Sequence, residues 1–142
     1  MSQRLNNLNE LISLVSAGAD FYRKAARQSD RAEAEAVFRE NADLRDRIAR
    51  ELSRVVDEAG HEPAGAAAGE QARSVLTRVG TLFDDKENVL ASGLERHEER
   101  TIDAFLTVMH HRDNMADEQM LRAYLTEIEK SHARLRGLGA AT

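Results

Sequence analysis

Apolar residues recur along this chain at alternating spacings of three and four, the signature of helices that bury one face. Leu5, Leu8, Ile12, Val15, Ala19, Tyr22 and Ala26 form the first stripe and predict a helix over residues 3–28. Ser29 and Asp30 then supply stop and N-cap chemistry. A second stripe, Ala34, Val37, Phe38, Leu44, Ile48, Leu52 and Val55, predicts a helix over 31–59 that ends at Gly60. Ala68, Ala72, Val75, Val79 and Phe83 define a shorter helix over 64–83, with a first turn weakened by its Ala/Gly-rich start. Asp84 and Asp85 can cap a helix over 85–110. After the turn at His111–Asn114, Leu121, Tyr124, Leu125, Ile128 and Leu135 carry a last helix over 115–137, ended by Gly137 and Gly139.

Tight turns make the first and second helices antiparallel neighbours, and likewise the last two. About 20 helical residues between the pairs span roughly 30 Å, enough to return the chain from one end of a bundle to the other. The expected fold is therefore all-α: a ferritin-like four-helix bundle with a helical crossover between the second and third long helices, in one domain over residues 1–142. Such a crossover makes the helices over 31–59 and 85–110 parallel.

Five polar residues interrupt the apolar stripes. Glu98 lies at the centre of its face, with Ala91, Leu94, Ile102, Phe105 and Met109 within about 40° of it at roughly 100° per residue. Asn41 is central on the second helix with Arg45 close by, Tyr22 sits mid-stripe on the first, and His132 is near mid-stripe on the last. A polar group facing a core must find a partner or destabilise the fold. With the two helices parallel, Arg45 and Glu98 fall at similar heights, which predicts an Arg45–Glu98 ion pair whose hydrogen bonds are completed by Tyr22, Asn41 and His132.

Two functions fit such an interior. A structural network would fix register and topology among otherwise interchangeable Leu/Ala faces. A metal site is the other, because carboxylates and histidines inside helical bundles hold iron or manganese. A di-metal centre needs a Glu from each of two helices and a Glu-x-x-His from each of the other two. This chain has one Glu-x-x-His, Glu129 to His132, and one central carboxylate, Glu98, with Glu95 at the edge of the stripe. The metal candidates are thus Glu95, Glu98, Glu129 and His132, and Arg45 would repel a cation placed beside Glu98. His97, His110 and His111 fall at flanks or helix ends, where solvated or dipole-satisfying roles are expected, and His61 is a loop residue.

At 142 residues, with no cysteine and a net charge of −5, the chain excludes disulfides, thiolate metal sites and a cysteine nucleophile, and it suits a reducing, cytoplasmic setting. No stretch approaches the roughly 20 apolar residues of a membrane helix. Basic and acidic residues interleave along every helix, so there is no electrostatic footprint for nucleic acid. Phosphate loops and nucleophile motifs are absent as well. No catalytic residue and no cofactor is therefore expected, iron or manganese being the alternative.

Leu8-Asn9-Glu10-Leu11-Ile12, Gly18, Phe21-Tyr22-Arg23-Lys24-Ala25-Ala26, Phe38-Arg39-Glu40, Arg45 and Glu51-Leu52 resemble the first half of a group of uncharacterised bacterial ferritin-like four-helix-bundle proteins. Glu95-Arg96-His97-Glu98-Glu99 and Ser131-His132-Ala133-Arg134-Leu135-Arg136 resemble its second half. The resemblance implies the fold and a domain of unknown function; His97 stands where the group has a small residue. The leading expectation is a non-enzymatic bundle, stress-associated or partner-binding, with a structural polar core. The alternative is an iron- or manganese-binding protein with oxidase or peroxide chemistry at Glu98 and His132. A third expectation is self-association through Val75, Leu76, Leu82 and Phe83 on the crossover helix.

Overall fold

The computed structural model describes residues 2–64 and 88–140, and within them the side chains of all but 88–92, 136 and 138–140. The described residues contain four long helices, α1 (Gln3–Gln28), α2 (Ala32–Glu58), α3 (Asn88–Met109) and α4 (Glu118–Ala140), with a 3-10 helix over Arg112–Asp117 between the last two. The crossover helix expected over 64–83, and the apolar patch on it, lie outside the described residues. No described helix is long and apolar enough to cross a membrane.

Local chemistry sets the helix ends. Ser2 caps α1, its Oγ accepting from the Leu5 N–H at 3.2 Å. Asp30 does not cap α2: the N-cap is Arg31, whose side chain makes no capping bond. Ser29 folds over the short turn instead, its Oγ donating to Arg31 O and accepting from Arg31 N, while Glu33 and Glu35 place negative charge in the first turn of α2. At the other end Gly60 has φ +82°, its N–H donates to Asp57 O and the His61 N–H to Val56 O. That pair of bonds is a Schellman motif, and only glycine takes the left-handed position without strain.

The last helix starts three residues later than the apolar pattern predicts and runs on through Gly137 to Ala140. Asn114 (φ −109°, ψ 19°) breaks the helical path, and the His111 side chain caps the 3-10 turn at Asp113 N. Gly137 keeps helical backbone, so neither it nor its neighbour stops α4 there.

Cross-helix hydrogen bonds give the directions. Glu40–Arg134, Arg47–Glu127 and Glu51–Tyr124 pair α2 with α4 in antiparallel order. Tyr22–Glu98 near one end and Arg4–Asp117 near the other do the same for α1 against α3 and the turn that follows it. Because α1 packs on α2 and α3, and α4 on α3 and α2, α2 and α3 face each other across the diagonal of the bundle and run in the same direction.

Among the described residues the core falls into two apolar clusters. The larger takes Leu5, Leu8, Leu11, Ile12 and Val15 from α1, Ile48, Leu52 and Val56 from α2, Phe105, Val108 and Met109 from α3, and Leu121, Tyr124, Leu125 and Ile128 from α4. The smaller holds Phe21, Tyr22, Ala25, Ala42 and Leu94, with Phe38 and Leu135 half-buried against it. On α2 nothing before Asn41 is fully buried, and Val56 rather than Val55 completes the inward face. Between the two clusters the buried residues are polar on α2 (Arg45), α3 (His97, Glu98 and Thr101) and α4 (Ser131 and His132), and small on α1 (Ala17, Gly18 and Ala19).

Candidate functional site

Arg45 reaches across the bundle diagonal from α2 to Glu98 on α3, and both side chains are fully buried at 0% exposure. The Arg45 Nη2 donates to Glu98 Oε1. Tyr22 Oη donates to the same oxygen at 2.8 Å. The Arg45 Nη1 donates to Asn41 O and Oδ1, both at 3.0 Å, and Nη2 reaches Ser131 Oγ at 3.5 Å. Asn41 uses its Nδ2 on Val37 O at 2.8 Å, which fixes the amide so that Oδ1 faces the guanidinium. The Arg45 guanidinium carbon also lies 4.5 Å from the centre of the Tyr22 ring, a cation–π contact in a dry setting.

Charge and burial oppose each other here. Burial draws Arg45 below its ordinary value, and the carboxylate beside it is the counter-charge that keeps the guanidinium ionised. Burial pushes the Tyr22 phenol up to about 12, with Arg45 pulling the other way, so Tyr22 stays a neutral donor. Glu98 Oε2 and Arg45 Nε are buried and without a hydrogen-bond partner among the described residues. His132, on α4, is nearly buried and places Nδ1 3.8 Å from Glu98 Oε2, beyond hydrogen-bond length. Tyr22, Asn41, Arg45 and Glu98 thus form one bonded group, with His132 beside it.

His97 is not at a solvated flank. It is buried, stacks on Phe21 at 6.2 Å, and its Nε2 lies 3.2 Å from Leu14 O. That bond requires the proton on Nε2, and burial lowers the pKa to about 4, so the ring is neutral. The reason for the misplacement is geometric: of the two flanks of α3's stripe, the one that carries His97 faces α1, while the one that carries Glu99 faces water. Gly18 makes the space, since a Cβ there would stand 3.1 Å from both Arg45 Cδ and His97 Nε2. His110 and His111 do serve helix ends, through Leu106 O and Asp113 N.

A second polar cluster, at the opposite end of α1, escaped the stripe analysis. Arg4 donates twice to Asp117, at 2.9 and 2.8 Å. Asn114, fully buried, accepts from Asn7 Nδ2 at 2.8 Å and donates to Asp117 Oδ2 and Arg4 O. It clasps the start of α1 to the turn before α4. Ser131 was missed too, although its place beside His132 on the last stripe was a usable signal.

Among the described residues the candidate metal ligands are engaged elsewhere or stand apart. Glu98 Oε1 is taken by Arg45 and Tyr22, Glu129 is exposed and Glu95 half-buried. Among the described residues no three His, Asp or Glu are grouped to hold an ion. A cation beside Glu98 would also face the Arg45 guanidinium at close range and be repelled. What the site does chemically is supply a fixed internal cation, matched by one carboxylate, where side chains from all four helices meet.

Comparison with curated proteins and with solved structures gave no match. A family model does match, and it ends before α4, leaving Ser131 and His132 outside while taking in Gly18, Tyr22, Asn41, Arg45, His97 and Glu98. Over residues 3–111 the chain matches the family described as "Domain of unknown function (DUF2383)", and it belongs to that family.

Proposed function

We propose that this protein is a non-catalytic, ferritin-like helical bundle that acts by binding a protein partner or a second copy of itself, with an interior closed by its own guanidinium instead of a metal ion. The observation that supports this reading is the fully buried Arg45–Glu98 pair across the bundle diagonal, with Tyr22 on the same carboxylate oxygen. Such a pair contributes little net stability against an apolar core but penalises any packing that separates its members, so it specifies one register. A lack of cysteine supports a cytoplasmic setting, and interleaved surface charge argues against nucleic acid as the partner.

The test is elemental analysis of untagged protein from cells supplied with iron and manganese, with Glu98→Ala and His132→Ala alongside. Metal below a tenth of an equivalent in all three supports the reading. Stoichiometric iron or manganese that disappears in both variants overturns it, and assigns Glu98 and His132 to an oxidase- or peroxide-type centre.

A further inference from the structure

The charges of α2 interleave along its sequence but not along its outermost ridge. Within about 40° of the line opposite its buried stripe, at roughly 100° per residue, stand Glu40 and Asp43, then Arg47, Arg50 and Arg54, with Glu58 at the helix end. Over the middle of the helix, acid thus comes first and base second. All but Arg47 are exposed, and Arg47 is already matched, its Nη2 on Glu127 at 2.7 Å. Beside the ridge a groove of about 600 Å³ follows the seam between α2 and α4, lined by buried Asn41 and Ser131 as well as by Asp43, Leu44, Arg50 and Lys130. The chain that leaves α2 turns onto α1 and not onto this face: the Ala64 N–H donates to Asn9 Oδ1 at 3.0 Å, and Asn9 Nδ2 to Glu62 O at 3.4 Å.

A ridge that is acidic in one half and basic in the other complements a copy of itself laid antiparallel, because in a two-fold contact residue i meets j and j meets i. With the axis near Arg47, Asp43 and Arg50 lie about 5 Å to either side of it, and Glu40 and Arg54 about 10 Å. We propose that the outer ridge of α2 and the groove beside it form a self-association surface, on which a second copy of this chain docks antiparallel, each Asp43 facing the partner's Arg50 and each Glu40 the partner's Arg54. Arg47 falls at the axis, where its own Glu127 offsets the like charge of the other copy. Exposed ion pairs contribute little each, so the dimer is weak and sensitive to salt. Self-association at this face rests on the partner-binding reading above and supplies its partner.

Sedimentation equilibrium of the wild type in about 20 mM and about 500 mM salt is the first measurement, and a reversible monomer–dimer equilibrium at least about tenfold weaker at high salt is expected. Asp43→Arg and Arg50→Asp come next. Each sets like charges opposite one another in a homodimer and should leave monomer with an unchanged thermal melt. An equimolar mixture of the two variants should dimerise again, because both facing positions then carry opposite charges. A chain carrying both changes should dimerise with itself and not with the wild type, a pattern that net charge alone does not produce. Wild type that is monomeric at both salt concentrations overturns this assignment, and so does a dimer that survives both single changes. The non-catalytic reading outlives either result, since metal content decides it separately.

Discussion

Replacing Arg45 and Glu98 by leucine, singly and together, separates the pair's role in specifying the fold from its contribution to stability. Both side chains are fully buried, so Arg45→Leu or Glu98→Leu alone strands one charge and should cost about 3–5 kcal/mol. The double variant removes both charges. Left behind are the Tyr22 hydroxyl without its acceptor and Asn41 Oδ1 without its donor, each worth roughly 1–3 kcal/mol and together about 2–6 kcal/mol. Against this stands the gain of about 1–4 kcal/mol seen when buried ion pairs are replaced by apolar side chains. At the midpoints of these ranges the double variant lies about 1–2 kcal/mol below wild type, where simple addition of the single losses gives about 6–10 kcal/mol. Urea unfolding followed by circular dichroism measures all three, with coincident transitions by a second probe as the two-state check. A double variant less stable than either single variant would refute the reasoning, because the charges would then be contributing independently.

Gly18→Ala puts a Cβ 3.1 Å from Arg45 Cδ and His97 Nε2. Both neighbours are buried, so overpacking of about 1–3 kcal/mol should exceed the gain of up to about 1 kcal/mol from helix propensity, and His97→Ala should relieve part of it in thermal melts. The folded-state value of His97, about 4, lies below its ordinary 6.5. Its contribution is thus fully present above pH 6.5 and is lost as pH falls toward 4, by roughly 3 kcal/mol at about 1.4 kcal/mol per pH unit; His97→Gln should flatten that part of the stability–pH curve. Asn114→Ala leaves Asn7 buried without its acceptor and should cost about 1–3 kcal/mol, read as a lower urea midpoint; a change under a few tenths would show the clasp to be idle.

The stripe of α1 was legible from end to end because it meets two neighbours with closely spaced small and aliphatic residues, and each of its seven predicted inward positions is buried. Periodicity failed where a helix has more than one contacting face. His97 belongs to the side of α3 turned toward α1, so its offset from Glu98 read as exposure. Asn7 and Asn114 are far apart in the chain, and neither carries any local sign of the other. Asp30 was a sound N-cap candidate on propensity alone, but the connection is so short that Ser29 satisfies the turn and α2 begins without a side-chain cap.

By itself the sequence determined the four long helices, their approximate bounds and the placing of Tyr22, Asn41, Arg45 and Glu98 on inward faces. These follow from local rules: a period of 3.6 residues, capping chemistry, and the cost of an unpaired polar group in a core. Matching heights on parallel helices also paired Arg45 with Glu98 and drew Tyr22 and Asn41 to them; the tertiary structure decided the individual bonds. It put α2 and α3 on the diagonal, let Arg45 pass Gly18 to reach Glu98, and brought Tyr22 onto the same oxygen while His132 stops at 3.8 Å. The individual hydrogen bonds across a bundle depend on helix rotation and on distances of a few ångströms, which are settled by packing every side chain at once and leave no trace in the spacing along any one helix.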